Sequence, residues 1–215
     1  MPKTLLQEWS AQSIKPDCSI VLPDGCRDLI VNCVPNNAPQ WFVSDLSNQA
    51  YPVHAVCSEV FHGYRLYPGV YIAQDKLLTA IKYKKDITQT DIYNLLDDFT
   101  VLSVDVAEAL AFLAEDHLNS ITFIANQLGV SERSLERLLT KHTKRSPIYW
   151  KSLARVRKAA RATLNTVPLI QIAHEYGYTD QAHMSRDFKR WFGVNPTQFR
   201  SNKQVHKHIH DSGYG

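Results

Sequence analysis

The chain has 215 residues, 44% of them apolar and 21% charged, with a formal net charge of +3. That composition suits a globular protein of one large or two small domains and excludes a disordered chain. No apolar run approaches the roughly 20 residues of a membrane-spanning helix, and Met1 to Trp9 lacks the apolar core of a secretory signal, so a cytoplasmic, membrane-free protein is expected.

Residues 1 to about 75 read as short strands and turns. Ser19-Ile20-Val21-Leu22 runs into the turn signal Pro23-Asp24-Gly25 and then Leu29-Ile30-Val31; Trp41-Phe42-Val43, Tyr51–Val56 and Val70–Ala73 are further aromatic and β-branched strand candidates, with Gly63 and Pro68-Gly69 as punctuation. Cys18, Cys26, Cys33 and Cys57 lie 8, 7 and 24 residues apart. Lacking the short gap of a zinc or redox pair, they are expected to be free thiols, with no metal and no cofactor.

The character changes near Gln74. Ile92, Leu95, Leu96 and Phe99 fall on one helical face, and Val104, Ala107, Leu110, Ala111, Ala114 and Leu118 mark a second helix, with Ser103 placed to cap it. From there to Arg200 every segment reads as helix, and within it lies a repeat. Ile124-Ala125 followed by Gly129-Val130-Ser131 recurs 48 residues later as Ile172-Ala173 followed by Gly177-Tyr178-Thr179. An amphipathic helix follows each, carrying Leu135, Leu138 and Leu139 in the first unit and Met184, Phe188, Trp191 and Phe192 in the second. A small residue where helices touch, a glycine free to take positive φ, and a hydroxyl residue to start the next helix are the parts of a helix-turn-helix. Ser146-Pro147 opens a helix between the units that runs to about Leu164; roughly eighteen residues make a strut of about 27 Å, the right order to set two recognition helices in grooves that recur every ~34 Å. Trp150 and Trp191 each sit in an apolar helical face and read as core.

Charge is divided along the chain. Residues 1–119 hold 8 basic and 15 acidic side chains, a net of −7, whereas residues 120–203 hold 15 and 5, a net of +10. Only the second block is suited to meet a polyanion.

These residues identify a resemblance. Ile121 to Arg200 resembles the DNA-binding domain of AraC/XylS-type transcriptional regulators, above all in the Phe-Lys-x-x-Phe-Gly-x-x-Pro-x-x-Phe-Arg pattern that Phe188 to Arg200 follows, with Trp191-Phe192 at its fourth and fifth places. Leu22 to Ile30 and Gly63 to Gly69 are similar to the Pro-Asp-Gly…Asp-Leu and Arg-x-x-Pro-Gly stretches of a small β-rich domain that precedes some members, shorter than the family's cupin-like sensor domains. The resemblance implies an α+β fold: a small, mainly β N-terminal domain over 1–100 that regulates or oligomerises, and a DNA-binding domain over 101–203 with two helix-turn-helix units joined by a long linker helix. The short polar tail over 204–215, with His206, His208 and His210, reads as disordered from its composition rather than as a metal site.

The function the resemblance implies is sequence-specific binding of a double-stranded promoter or operator. RNA polymerase, a homodimer and a small-molecule effector are the further partners considered; the apolar stripe around Ile92–Phe99 either mediates self-association or packs against its own domain. In the first unit Arg133, Ser134, Glu136, Arg137 and Lys141 are left off the packed face, and by resemblance Arg133, Glu136 and Arg137 fall at base-reading places. Glu136 could accept from cytosine or instead pair with Arg133 or Arg137 on the helix surface. In the second unit the corresponding places hold Gln181, Ala182, His183, Ser185 and Arg186. Lys144, Arg145, Lys151, Arg155, Arg157, Lys158, Arg161, Lys189, Arg190 and Lys203 form a basic reserve from which phosphate contacts are drawn, Lys151 and Lys189 foremost.

No phosphate loop, nucleophile elbow or metal-spaced histidine pair occurs, so no enzyme is expected. Two alternatives stand beside the regulator: a DNA-repair alkyltransferase that carries the same helical domain, which would need closely paired cysteines, and an interaction protein that keeps the fold without binding DNA.

Overall fold

The computed structural model describes residues 1–84, 86–115 and 118–215. The fold is α+β, a β region followed by helices. Strands β1 (Leu5–Gln12), β2 (Asp17–Val21), β3 (Arg27–Cys33), β4 (Gln40–Val43), β5 (Tyr51–Ala55) and β6 (Val60–Leu66) come first. They form an antiparallel sheet of order β1-β6-β3-β4 and a separate antiparallel pair, β2 with β5. The short β7 (Tyr71–Ile72) leads into α1 (Gln74–Lys82) and α2 (Gln89–Phe99), and returns to pair with β8 (Thr100–Val101).

Two of these strands are poorly marked in the sequence. Gly63, read as punctuation, lies inside central strand β6, where the Trp9 indole from β1 rests on it. A Cβ there would meet that ring at 2.0 Å, so glycine is needed for close approach within a strand rather than for a turn. The Trp9 Nε1 then donates to Asp28 Oδ1 at 2.9 Å.

Of the two readings of the Ile92–Phe99 stripe, packing against its own domain is the one seen. Ile92, Leu95 and Leu96 on α2 are buried with Leu77 and Ile81 of α1 and Leu29 and Leu66 of the sheet, and Phe99 packs on the same cluster. A dimer would have to use another surface.

The helical part comprises α3 (Val104–Glu115), α4 (Ile121–Gln127), α5 (Glu132–Thr143), α6 (Pro147–Thr163), α7 (Leu169–Glu175), α8 (Gln181–Phe192), α9 (Pro196–Ser201) and α10 (Lys203–His206). The last turn expected for α3 crosses residues 116 and 117 and lies outside the described residues. Helix α6 begins as the sequence reading has it, with the Ser146 side chain accepting from Tyr149 N and proline in the first turn; its 17 residues span about 26 Å. Trp150 and Trp191 are both fully buried.

The two parts share a core. Leu22, from the segment after β2, belongs to the same buried cluster as Trp150, Leu153 and Phe188, with Ile20, Leu46 and Ala50 of the β region packed against it. The turn Pro23-Asp24-Gly25 therefore closes no hairpin. Gly25, at φ +73°, sits against α6, and a Cβ there would meet Tyr214 Cβ at 2.8 Å and Trp150 Cζ3 at 2.9 Å.

The tail over 204–215, expected to be disordered, is instead packed. Val205, Ile209 and Tyr214 are buried in the helical core. The Tyr214 ring meets Trp150 edge-on at 4.9 Å, its hydroxyl donates to Leu110 O at 2.9 Å, and its N–H donates to Asp24 O at 2.7 Å. Arginines close the seam. Arg157, fully buried on α6, donates to Pro23 O (3.1 Å), Asp211 O (3.3 Å) and Ile209 O (3.5 Å), and burial, reinforced by Arg161, lowers it to about 10. Arg65 of β6 donates to Asp24 Oδ2 (3.0 Å), Asp28 Oδ1 (3.1 Å) and Ser212 O (2.9 Å). Backbone carbonyls on a polar stretch of chain can satisfy buried guanidinium groups, and this need orders a segment whose composition alone suggests disorder.

Replacing Tyr214 by alanine should accordingly cost about 3–5 kcal/mol, the range for truncating a buried aromatic side chain. Urea denaturation measures this as a lowered midpoint; a midpoint equal to wild type would mean the tail is not part of the core.

Candidate nucleic-acid interface

Each candidate recognition helix is preceded by a shorter helix and a turn that the sequence prescribes. In the first unit α4 ends at Gly129, φ +68°, with Gly129 N donating to Asn126 O (3.0 Å) and Val130 N to Ala125 O (3.0 Å). In the second, Gly177, φ +69°, repeats both bonds 48 residues later, to His174 O (3.2 Å) and from Tyr178 to Ala173 O (2.9 Å). A positive φ closes the helix and returns the N–H groups to its last carbonyls, a conformation that favours glycine.

The helix starts then differ by one residue. The Ser131 hydroxyl accepts from Ser134 N at 3.2 Å, as expected. The second start is not Thr179 but Asp180, whose Oδ1 accepts from His183 N at 2.6 Å. The second turn is thus one residue longer, and a carboxylate has the advantage over a hydroxyl at the positive end of a helix.

With these caps aligned, α5 and α8 are both 12 residues long and match position by position. The fourth, eighth and twelfth residues are buried in both: Leu135, Leu139 and Thr143 in one, Met184, Phe188 and Phe192 in the other. The sixth is Arg137 in one and Arg186 in the other. Two residues from the buried fourth position is about 200° around a helix, so both arginines face away from the core; both are exposed.

The remaining candidates divide by how free they are. Arg133, Glu136, Lys141, Gln181, Ala182 and Lys189 are exposed. Among the described residues Glu136 forms no ion pair with Arg133 or Arg137; its nearest partner is Thr140 Oγ1, at 3.4 Å. Ser134, His183 and Ser185 are half-buried and already engaged: Ser134 Oγ lies 2.9 Å from Ser131 Oγ, His183 Nδ1 lies 3.4 Å from Thr179 N, and Ser185 Oγ donates to Gln181 O at 2.9 Å. Lys151 is half-buried on α6, with its ammonium donating to Asn119 O.

Much of the basic reserve serves the fold. Arg145 donates to Leu46 O (2.5 Å), Lys158 to Ala114 O (2.5 Å), and Arg161 to Ile209 O (3.2 Å) and Gly215 O; Arg157 is buried in the seam described above. Arg155 pairs with Asp187 at 2.7 Å while its guanidinium lies 4.5 Å from the centre of the Tyr178 ring, so it ties α6 to α8 and to the turn before it. Burial pushes the Tyr178 phenol well above its usual range. The exposed basic groups Arg133, Arg137, Lys141, Lys144, Arg186, Lys189, Arg190 and Lys203 lie on the recognition helices or just beyond α5 and α9.

Among the described residues no group of three or more His, Cys, Asp or Glu is arranged to hold a metal, and no helix is long and apolar enough to cross a membrane. The four cysteines are free thiols: Cys26 buried, Cys33 half-buried, Cys18 and Cys57 exposed. His208 of the tail is held by Asp211 at 2.8 Å.

A helix-turn-helix domain family matches residues 124–202. Over 100 residues, 45% of this chain, the sequence is 32% identical to an AraC-like transcription regulator of Streptomyces antibioticus; the chain spans about a third of that relative's length, 33%. Among solved structures, the C-terminal domain of AraT, a response regulator from Geobacillus stearothermophilus, is 30% identical over 46% of this chain and 86% of that one, with a TM-score of 0.44. ToxT from Vibrio cholerae aligns over 93% and 98% of the two chains at 10% identity, with a TM-score of 0.49.

The division into tied and free cations carries a stability signature. Arg137→Ala and Arg186→Ala should each shift the unfolding free energy by about 0.5 kcal/mol or less, as exposed substitutions do. Arg155→Leu should cost about 2–3 kcal/mol, because it leaves the largely buried Asp187 carboxylate without its partner. Chemical denaturation of the three variants checks both; a neutral Arg155→Leu would mean that the pair does not hold α8.

Proposed function

We propose that this protein, whose residues 124–202 match a helix-turn-helix domain family and resemble an AraC-like transcription regulator, is a sequence-specific double-stranded DNA-binding transcription regulator that sets α5 and α8 in consecutive major grooves of a promoter or operator. The observation that carries the reading is the repeat at side-chain level: two capped, 12-residue helices with matching buried positions and an exposed arginine at the sixth place of each. Arginine is the side chain that pairs bidentately with guanine O6 and N7, so Arg137 and Arg186 each read a guanine. Gln181 suits adenine, and Ala182 can meet a thymine methyl. Arg133 and Glu136 complete the base-reading set of α5, with Glu136 free to accept from cytosine N4.

Ser134 and Ser185 contribute less, because their hydroxyls already have partners within the helix starts, and His183 has its Nδ1 so engaged. Lys141 and Lys189 contact phosphates. Lys151 joins them only by leaving Asn119 O, so its loss would combine a structural cost with an electrostatic one. RNA polymerase belongs to the reading as the partner through which a bound regulator acts, and a homodimer would form through a face other than α2. For a small-molecule effector, the cleft between Arg27, Tyr67 and Tyr71 of the β region and His142 and Lys144 at the C-terminal end of α5 has a volume of about 130 Å³. That is small beside the roughly 300–1,000 Å³ of ordinary ligand pockets, so an effector would have to be small or widen it.

Selection from a random duplex pool, followed by titration of the selected site at several salt concentrations, tests the proposal. Arg186→Ala should cost about 1–3 kcal/mol on that site and relax preference at one base position, and Arg137→Ala should do so in the other half-site. Lys189→Ala should weaken all duplexes alike and reduce the slope of log K against log salt by about one. Equal losses on selected and scrambled DNA for Arg186→Ala would remove its base-reading role, and binding independent of salt would favour an interaction protein that does not use DNA.

A further inference from the structure

The segment 44–50, between β4 and β5, runs against the helical part. Its start is fixed to the sheet: Ser44 N donates to Asp28 O at 2.9 Å, and Arg27 Nε donates to Ser44 O at 2.9 Å. Its other end enters β5, which is paired with β2. Between these anchors it makes three bonds to the helical part. Arg145, just past the end of α5, donates to Leu46 O at 2.5 Å. The Tyr149 hydroxyl, from the first turn of α6, donates to Ser47 O at 3.0 Å. Ala50 N donates to Trp191 O, in the last turn of α8, at 2.7 Å. The carbonyls in the last turn of a helix have no partner within it, so this bond satisfies a group that is otherwise open. Leu46 and Ala50 pack on the helical core below, where the Tyr149 ring lies 5.4 Å from the Trp191 ring and 5.3 Å from that of Trp150.

We infer that the segment 44–50 is a positioning element for DNA reading: it ties the C-terminal end of α5 and the start of α6 to the C-terminal end of α8, and so holds the two recognition helices at one separation and angle. The inference rests on the proposed function. Its physical basis is that α5 and α8 are otherwise linked through α6, on which both pack and to which Arg155 ties α8, and a further connection across their ends adds a restraint on their relative angle. Burial pushes the Tyr149 phenol up to about 12, so it remains a donor throughout the working pH range. The consequence is selectivity for the spacing between half-sites as well as for their sequences. Inserting one base pair rotates one half-site by about 35° and shifts it by about 3.4 Å relative to the other. A rigid pair cannot follow this and a loosened pair can.

The test compares the selected duplex with versions that carry one base pair more or one fewer between the half-sites. The variant is Ala50→Pro combined with Tyr149→Phe, which removes the backbone donor to Trp191 O and the hydroxyl donor to Ser47 O. Neither residue is among those assigned to contact DNA. Wild type should prefer the native spacing by roughly tenfold or more, as for loss of a good base contact. In the double variant the preference should fall to about threefold or less, with somewhat weaker binding to the native duplex because pre-organisation is lost. Base preferences within each half-site should persist, a pattern that general destabilisation would not produce. If the double variant does not fold, Tyr149→Phe alone, which keeps its ring against Trp150 and Trp191, must move the spacing preference in the same direction. An unchanged preference in the folded variant overturns the inference, as does a wild type that accepts all three spacings equally; both leave the DNA-binding reading standing. A wild type without sequence preference overturns that reading and the inference with it.

Discussion

A helix enclosed on nearly every side must be covered on nearly every side, and α6 is such a helix: of its residues only Ile148 is exposed, and its five basic side chains lie buried or half-buried among the apolar ones. Ten of its 17 residues are buried, among them Trp150, Leu153, Val156 and Ala160. The two helix-turn-helix units cover only part of it. The remaining surface is closed by α3, by the Leu22–Gly25 segment of the β region and by the tail from Val205 to Tyr214. The arrangement of the whole chain follows from this demand. The β region does not hang from a linker, because it supplies one side of the core on which the helical part is built.

The buried polar groups obey the same constraint. Arg157 is placed where α6 meets both the Pro23 turn and the tail, and its charge is acceptable there because three backbone carbonyls receive it. Arg65 does the same from the sheet, shared between Asp24, Asp28 and Ser212 O. Burial also raises the Asp24 carboxyl, against the pull of Arg65. Such groups contribute little net stability while intact, but losing one partner is costly. They hold the two parts in a single arrangement by penalising others, in which a charge would be left unpaired.

This changes what the basic half of the sequence means. A net of +10 over residues 120–203 reads as one electrostatic surface, yet Arg145, Arg155, Arg157, Lys158, Arg161 and Arg200 are held by carbonyls or by Asp187. Their charge still adds to the field around the domain, but their donors are committed. The groups left open lie mainly on α5 and α8, which concentrates the DNA-reading proposal on far fewer side chains than the composition suggests.

The sequence by itself determined the local parts. Gly129 and Gly177 at their turns, Ser131 and Ser146 at their helix starts, Pro147 in the first turn of α6 and the 3.6-residue rhythm of Leu135, Leu139, Met184 and Phe188 all act within a few residues, where spacing is a faithful guide. That is why the tandem units and the exposed face of each recognition helix were legible from residue order. What only the tertiary structure decided are the contacts between distant segments. Gly63 as a seat for Trp9, the α2 stripe turned onto its own sheet, Arg157 and Arg65 as seam-fillers, the ordered tail and the bonds from segment 44–50 to Arg145, Tyr149 and Trp191 join residues far apart in the chain. In sequence these residues look like a turn, a free apolar face, surface charges, a polar end and a loop. Each acquires its role from what the fold brings against it, and a buried polar atom or open helix end then takes whichever partner lies within reach.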